Sequence, residues 1–160
     1  MEYLEALKFL FNFPRSRIGP GTDSTSKLLN YLGNPHIGNK YIQITGSNGK
    51  GSTSRMISSI LMESNLKVGL YTSPHLERLE ERFVVDSQVC QQGQLLRLLE
   101  QVQPVVEALD SESPQQQGPT FFDITTAMAI LFFHQSQVDC AVLEVGLGGR
   151  LDSTNICQPA

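Results

Sequence analysis

Apolar positions change rhythm several times along this chain, and each change marks a boundary between predicted elements. Leu4, Leu7 and Phe11 recur at helical spacing, which predicts a short amphipathic helix over residues 3–11. A stretch rich in Pro, Gly and Ser runs from Pro14 to Ser26, followed by a helical turn around Leu28 to Leu32. The segment GNPHIGN carries turn chemistry. Tyr41 to Thr45 is a short β-prone run that leads straight into glycines. Met56, Ile57, Ile60 and Leu61 then share one face of a helix expected to begin near Gly51.

The second half repeats the alternation. Lys67 to Thr72 predicts a strand, broken by Ser73-Pro74-His75, and Phe83 to Val89 suits a small hairpin. Leu95, Leu98, Leu99, Val102, Val106 and Leu109 mark one long helical face, which Pro104 is expected to kink or split. Asp110 to Pro119 is polar and of low complexity, and predicts an exposed loop. Phe122, Thr126, Ala129, Ile130 and Phe133 return to helical period. The run CAVLEVG, apolar but for one acid, has the character of a buried parallel strand. Strands alternating with helices predict a three-layer α/β fold with a mainly parallel sheet and P-loop-like topology. Such a sheet binds ligands beyond its strand carboxyl ends.

Composition acts mainly by exclusion. The 160 residues are enough for one domain, and 40% hydrophobic with 18% charged residues is ordinary for a globular chain. A net charge of -4 argues against a nucleic-acid binder. No stretch approaches membrane-spanning length, and the amino terminus carries Glu2, Glu5 and Lys8 where a signal peptide would be uninterrupted. Cys90, Cys140 and Cys157 are odd in number and widely spaced, which suggests neither a disulfide framework nor a zinc site, and a reducing cytoplasm is the simplest home. The close at LDSTNICQPA, just after a glycine-rich turn, predicts that residues 1–160 are the front part of something longer.

The candidate chemistry lies where strands meet glycines. ITGSNGKGS fails the usual phosphate-loop pattern twice, with Ile44 in place of the first glycine and Gly51 in place of the hydroxyl residue. Its setting between a strand and a helix outweighs the spelling. Gly46, Gly49 and Gly51 allow successive N–H groups to face one anion, the helix adds its amino-terminal partial charge, and Lys50 can neutralise phosphates. Ser52 or Thr53 can cap the helix or reach a metal. Ser73 stands just beyond a predicted strand, as a metal-shell hydroxyl or simply a turn residue. Glu144 ends the apolar strand, where a carboxylate is costly unless paired or bound to a cation. Arg150 is the candidate partner, Mg²⁺ the candidate cation. A dinucleotide motif at Gly146, Gly148 and Gly149 fails, because its third glycine would fall at Leu151.

Four segments, TGSNGKGSTSRMISSIL, KVGLYTSPHLERLEERF, TFFDITTAMAILFF and VDCAVLEVGLGGRLDSTN, together resemble the folylpolyglutamate synthase and dihydrofolate synthase family of the Mur ligase superfamily. The similarity covers nearly the whole chain from Leu28 onward. It implies an ATP-binding domain over residues 1–160, incomplete here, followed by a glutamate-ligase domain outside this chain. It also implies a cytoplasmic, monomeric full-length enzyme in which ATP phosphorylates a carboxylate of dihydropteroate or folate and L-glutamate attacks the acyl phosphate. By this resemblance Ser47, Asn48, Gly49, Lys50, Gly51 and Ser52 cradle ATP, and Ser73 and Glu144 hold Mg²⁺. Lys50 and Glu144 carry the catalytic charge, while Thr120, Phe122, Leu151, Asp152 and Ser153 border the pterin. The chain departs from the family pattern in reading Gly21-Thr22-Asp23-Ser24 for G-L-E-R, Asp123 for Glu, and Glu80 for Asn, and Ile18 to Pro20 lacks the customary basic neighbour for a pterin contact. Two other readings stay open: a Mur ligase acting on a cell-wall precursor, and a non-catalytic ATP-binding fragment.

Overall fold

The structure is a computed structural model that describes residues 2–14, 22–112 and 118–157. The proposed contact at Ile18 to Pro20 and the residue Gly21 lie outside them. In chain order the elements are α1 (Tyr3–Phe11), α2 (Asp23–Tyr31), β1 (Tyr41–Ile44), α3 (Lys50–Glu63), β2 (Val68–Tyr71), a 3-10 turn (Leu79–Arg82), β3 (Phe83–Val85) and β4 (Gln88–Val89). They continue with α4 (Gln92–Glu112), α5 (Phe121–Gln135), β5 (Cys140–Glu144) and a second 3-10 turn (Ser153–Ile156).

The five strands form one sheet in the order β1-β5-β2-β3-β4. β5 runs parallel between β1 and β2, and the β3–β4 hairpin is appended antiparallel to β2. Asp86 and Ser87 both have positive φ, 47° and 62°, which matches the twist of a two-residue hairpin turn. The α/β expectation holds, with the parallel part confined to three strands.

Side-chain alternation divides the core into two layers. Tyr71, Phe83, Ala141 and Leu143 face a large cluster built by α1, α2, α4 and α5. Val68, Leu70, Val84, Cys140 and Val142 face the opposite side, where Ile57, Leu61 and Met62 of α3 cover them. Gly69 lets α5 press closely on the sheet: a Cβ there would lie 2.6 Å from the Phe133 ring. α5 is apolar and buried almost all round, as a central pillar must be.

Several expectations are corrected. In α1 the buried residues are Ala6 and Leu10, whereas Leu4 and Phe11 are exposed. In α3 Met56 and Ile60 face solvent, and the small Ser54 and Ser58 lie against the sheet instead. Pro104 does not split α4, which runs as one helix of 21 residues. Its apolar stripe is buried continuously from Leu95 to Leu109, so packing offsets the backbone hydrogen bond that proline removes. The expected loop from Asp110 to Pro119 is helical as far as Glu112 and buried again at Gly118 and Pro119. Cys90, Cys140 and Cys157 are free and buried, and burial pushes the thiols of Cys90 and Cys157 up to about 12.

Candidate functional site

Parallel register brings three strand ends to one edge of the sheet: Ile44 pairs with Glu144, and Tyr71 with Leu143. The segments that follow these strands therefore start side by side. Residues 45–49 lead into α3, residues 72–75 leave β2, and residues 145–152 leave β5.

The first segment is shaped by glycine. Gly46 has φ 152° and Gly49 has φ 73°, both in the region that favours a residue without Cβ. Gly49 is the amino-terminal cap of α3, with no side-chain hydrogen bond capping that end and no acid in its first turn. Gly49 O accepts the first helical bond, from Thr53 N–H at 2.9 Å. Ser52 and Thr53 thus lie inside the helix and do not cap it, which corrects one expectation; both are exposed. Ser47 and Asn48 are exposed as well. Lys50 folds back, its Nζ donating to Gly46 O at 3.0 Å across the mouth of the loop. A helix end with free N–H groups, a positive dipole end and a lysine is an anion site in chemical terms.

The second and third segments meet at a carboxylate. Glu144 is 6% exposed, and its Oε2 accepts from the backbone N–H of Ser73 at 3.0 Å. Gly51 faces the same group: a Cβ there would lie 3.4 and 3.5 Å from the two carboxylate oxygens. The Ser73 contact is therefore made by its backbone, leaving the hydroxyl out of that bond. Arg150 is exposed, and its carbonyl is bonded by Asn155 Nδ2. Among the described residues Glu144 accepts one N–H, a poor return for burying a carboxylate, which can accept about four hydrogen bonds. A cation beside the phosphate loop would complete its shell, so the residues fit a hard divalent ion with one carboxylate and phosphate oxygens. No cluster of three or more His, Cys, Asp or Glu that could form an all-protein metal cage occurs among the described residues.

The remaining predicted residues frame this edge. Thr45 Oγ1 donates to Gly148 O at 2.7 Å, tying the glycine-rich loop before α3 to the loop after β5. Asp152 organises that loop: Oδ2 accepts from Gly146 and Leu147 N–H, and Oδ1 from the N–H and hydroxyl of Thr154. Ser153 is buried behind it, and Leu151 is 58% exposed. Phe122 is half-buried beside Gly146, whose Cβ would lie 3.4 Å from the ring. Thr120 caps α5 in reciprocal bonds with Asp123, which also accepts from Thr25 at 2.6 Å. Thr120 and Asp152 thus hold backbone in place, whereas Phe122 and Leu151 present apolar surface.

Sequence reasoning missed Arg82. It is 4% exposed, its Nε donates to His75 Nδ1 at 2.8 Å, and its guanidinium carbon lies 5.2 and 5.6 Å from the ring centroids of Phe121 and Phe122. Only the presence of Arg82 and His75 in one motif-bearing segment, SPHLERLEERF, hinted at the pair. Their packing against α5 is tertiary information.

No family model matches the chain. It is 45% identical over 161 residues to a probable bifunctional folylpolyglutamate synthase/dihydropteroate synthase of Haloferax volcanii, covering 99% of this chain and 19% of that protein. Folylpolyglutamate synthase of Thermotoga maritima superposes with a TM-score of 0.90 at 43% identity, over 98% of this chain and 36% of that one. A solved FPGS-AMPPCP-folate complex gives a TM-score of 0.91 at 39% identity, over 99% of this chain and 38% of that one. The chain thus spans about a fifth to two-fifths of the length of the proteins it matches. Among its described residues no helix is long and apolar enough to cross a membrane.

Proposed function

We propose, from the premise that this chain belongs to the folylpolyglutamate synthase and dihydrofolate synthase family, that it is the ATP-binding part of a glutamate ligase. The reaction is the ATP-dependent joining of L-glutamate to dihydropteroate or folate through an acyl phosphate. The observation that carries this reading is the meeting of a lysine-bearing phosphate loop with a buried carboxylate at one sheet edge. The bound AMPPCP and folate of the related complex support it. A glutamate-ligase domain outside these 160 residues, a cytoplasmic setting and a monomeric whole protein belong to the same proposal.

In this reading each residue has a duty. Ser47, Asn48, Gly49, Gly51 and Ser52 offer backbone and hydroxyl groups to the phosphates, and Lys50 offers charge. Ser73 and Glu144 would hold Mg²⁺, which when bound supplies positive charge between phosphate oxygens. Two anions, a carboxylate and a triphosphate, must approach for the first step, and preorganised positive charge lowers the cost of that approach. Phe122 and Leu151 provide a flat apolar border for a pterin ring, with Thr120, Asp152 and Ser153 fixing the loops on which they stand.

The test is isotopic. Dihydropteroate carrying ¹⁸O in its carboxylate is incubated with ATP, Mg²⁺, L-glutamate and the full-length protein that contains this chain. An acyl phosphate transfers one labelled oxygen to the released phosphate. Amide product with no label in phosphate would overturn the proposed route.

A further inference from the structure

Two oppositely charged side chains are buried two residues apart in this chain, and the structure does not pair them. Glu80 is 3% exposed and accepts from Tyr3 OH at 3.0 Å. Arg82 is 4% exposed and turns to His75 and the Phe121 and Phe122 rings. Its Nη1 is buried and has no hydrogen-bond partner among the described residues. Ring faces and an accepting imidazole nitrogen attract a guanidinium without neutralising it. Burying an unpaired charge costs several kcal/mol, and a buried orphan donor in a native protein calls for an explanation such as an ion that completes it.

Its position narrows the choice of anion. Arg82 O accepts from Thr72 N–H at 3.2 Å, so the residue sits beside the segment that carries Ser73 to the Glu144 carboxylate. Its guanidinium stacks over Phe122, which borders Gly146 at the opposite limit of the site. Arg82 therefore stands between the candidate metal and phosphate end and the candidate ring-binding end. Phe121 is buried while Phe122 is only partly so, which makes the Phe122 side the more open of the two. The carboxylate of a substrate that has its ring at Phe122 and its reacting oxygen near the phosphates must pass this point.

We infer that Arg82 is a substrate-binding residue whose unpaired Nη1 receives the carboxylate of the pterin-bearing acid before that carboxylate is phosphorylated; this rests on the proposed function. The guanidinium then has no partner for Nη1 among the described residues because that partner is the substrate. Binding offsets a cost built into the fold, as is common at functional sites.

Calorimetric titration of the full-length protein that contains this chain decides the matter, using wild type, Arg82→Met and Arg82→Lys. The probes are pteroate, its carboxamide and Mg-AMPPCP. Charge-assisted hydrogen bonds predict that Arg82→Met weakens pteroate binding by about 10- to 100-fold, with Arg82→Lys in between. The carboxamide should bind all three proteins alike, and so should Mg-AMPPCP. Arg82→Met should melt no lower than wild type, because it removes an uncompensated buried charge.

Unchanged pteroate affinity in Arg82→Met overturns the inference, as does an equal loss for pteroate and carboxamide. Loss of Mg-AMPPCP binding with pteroate retained would assign the guanidinium to phosphate instead. A large fall in melting temperature in both variants would make Arg82 a structural strut. Failure of wild type to bind either pteroate or its carboxamide while it binds Mg-AMPPCP would overturn the proposed substrate class, and this inference with it.

Discussion

The amino-terminal ends of α3 and α5 lie in one small domain and are built to opposite specifications. At α5, Thr120 and Asp123 exchange hydrogen bonds, and an aspartate in the first turn meets the positive end of the helix dipole. At α3 the cap is Gly49 in a left-handed conformation, no side chain caps the end, and a lysine opens the first turn. A helix end satisfied by its own side chains has nothing left for a ligand. One stripped of them costs stability in the free protein and gains it when an anion arrives. The contrast continues along the helices. α5 is a buried apolar pillar, whereas α3 covers the sheet with only a few partly buried residues and two buried serines. α3 is placed for what its first turn does, and α5 for what its whole length holds together.

The largest effect should come from the lysine. Lys50→Ala is expected to weaken Mg-ATP binding by roughly 2–5 kcal/mol, as for truncation of one member of a desolvated charge pair. Its melting temperature without nucleotide should hardly change, because the bond from Nζ to Gly46 O is exposed. Calorimetry with a parallel thermal melt separates the two. Unchanged nucleotide affinity in a folded variant would place the anion elsewhere.

Glu144→Gln sharpens the comparison from the other side of the loop. It keeps an acceptor for Ser73 N–H and removes the charge. Nucleotide binding should then need about 10- to 100-fold more Mg²⁺, the worth of one charge-assisted contact. Titrating Mg²⁺ at fixed nucleotide measures this. A variant with unaltered Mg²⁺ dependence would return Glu144 to a structural role.

The reciprocal experiment is Thr120→Ala. Loss of a helix cap costs about 1 kcal/mol of stability, and here Asp123 also loses a hydroxyl donor while keeping Thr25. Nucleotide affinity should be unchanged. Denaturant unfolding at constant slope checks the first statement and calorimetry the second. A Thr120→Ala protein that lost nucleotide affinity would break the division of labour between the two helix ends.

Much of this design is legible in the sequence, and the gaps have definite causes. That the glycine-rich loop, Ser73 and Glu144 share one edge is readable because each ends or follows a strong strand signal, and parallel strands must deliver their ends to one edge. Helix faces were less legible. Met56 and Ile60 look like core, but α3 approaches the sheet on the side of Ser54 and Ser58, whose small side chains allow a close fit. Pro104 looks like a break, but its neighbours on α4 bury enough apolar surface to hold the helix together. Thr120 and Asp123 form a capping pattern one residue type away from the usual Thr-x-x-Glu, so the cap is readable beside the ligand role that the family resemblance implies for Thr120. Arg82 was not readable, since its neighbours Phe121 and Phe122 are nearly forty positions away in sequence.

The smallest expected effect concerns a third set of backbone N–H groups, which resembles the α3 end but already contains its anion. In the segment after Ser73, Glu81 accepts from Leu76 N–H at 2.8 Å, Glu77 N–H at 3.0 Å and Arg78 N–H at 2.8 Å. These three bonds hold its carboxyl down at about 2, against an ordinary value of 4.5. A carboxyl whose folded value is depressed contributes stability that is fully present above its unfolded value and lost as pH falls through the folded one. The contribution should therefore be complete above about pH 4.5 and decline toward pH 2. The side chain is only partly covered, so solvent screens it and the change should be small. Glu81→Gln keeps the carbonyl acceptor and removes the titration, so wild type should lose melting temperature more steeply than the variant between pH 4.5 and 2. Parallel slopes across that window would mean that the three N–H groups do not depend on a charged acceptor, and the likeness between this turn and the phosphate loop would be one of shape alone.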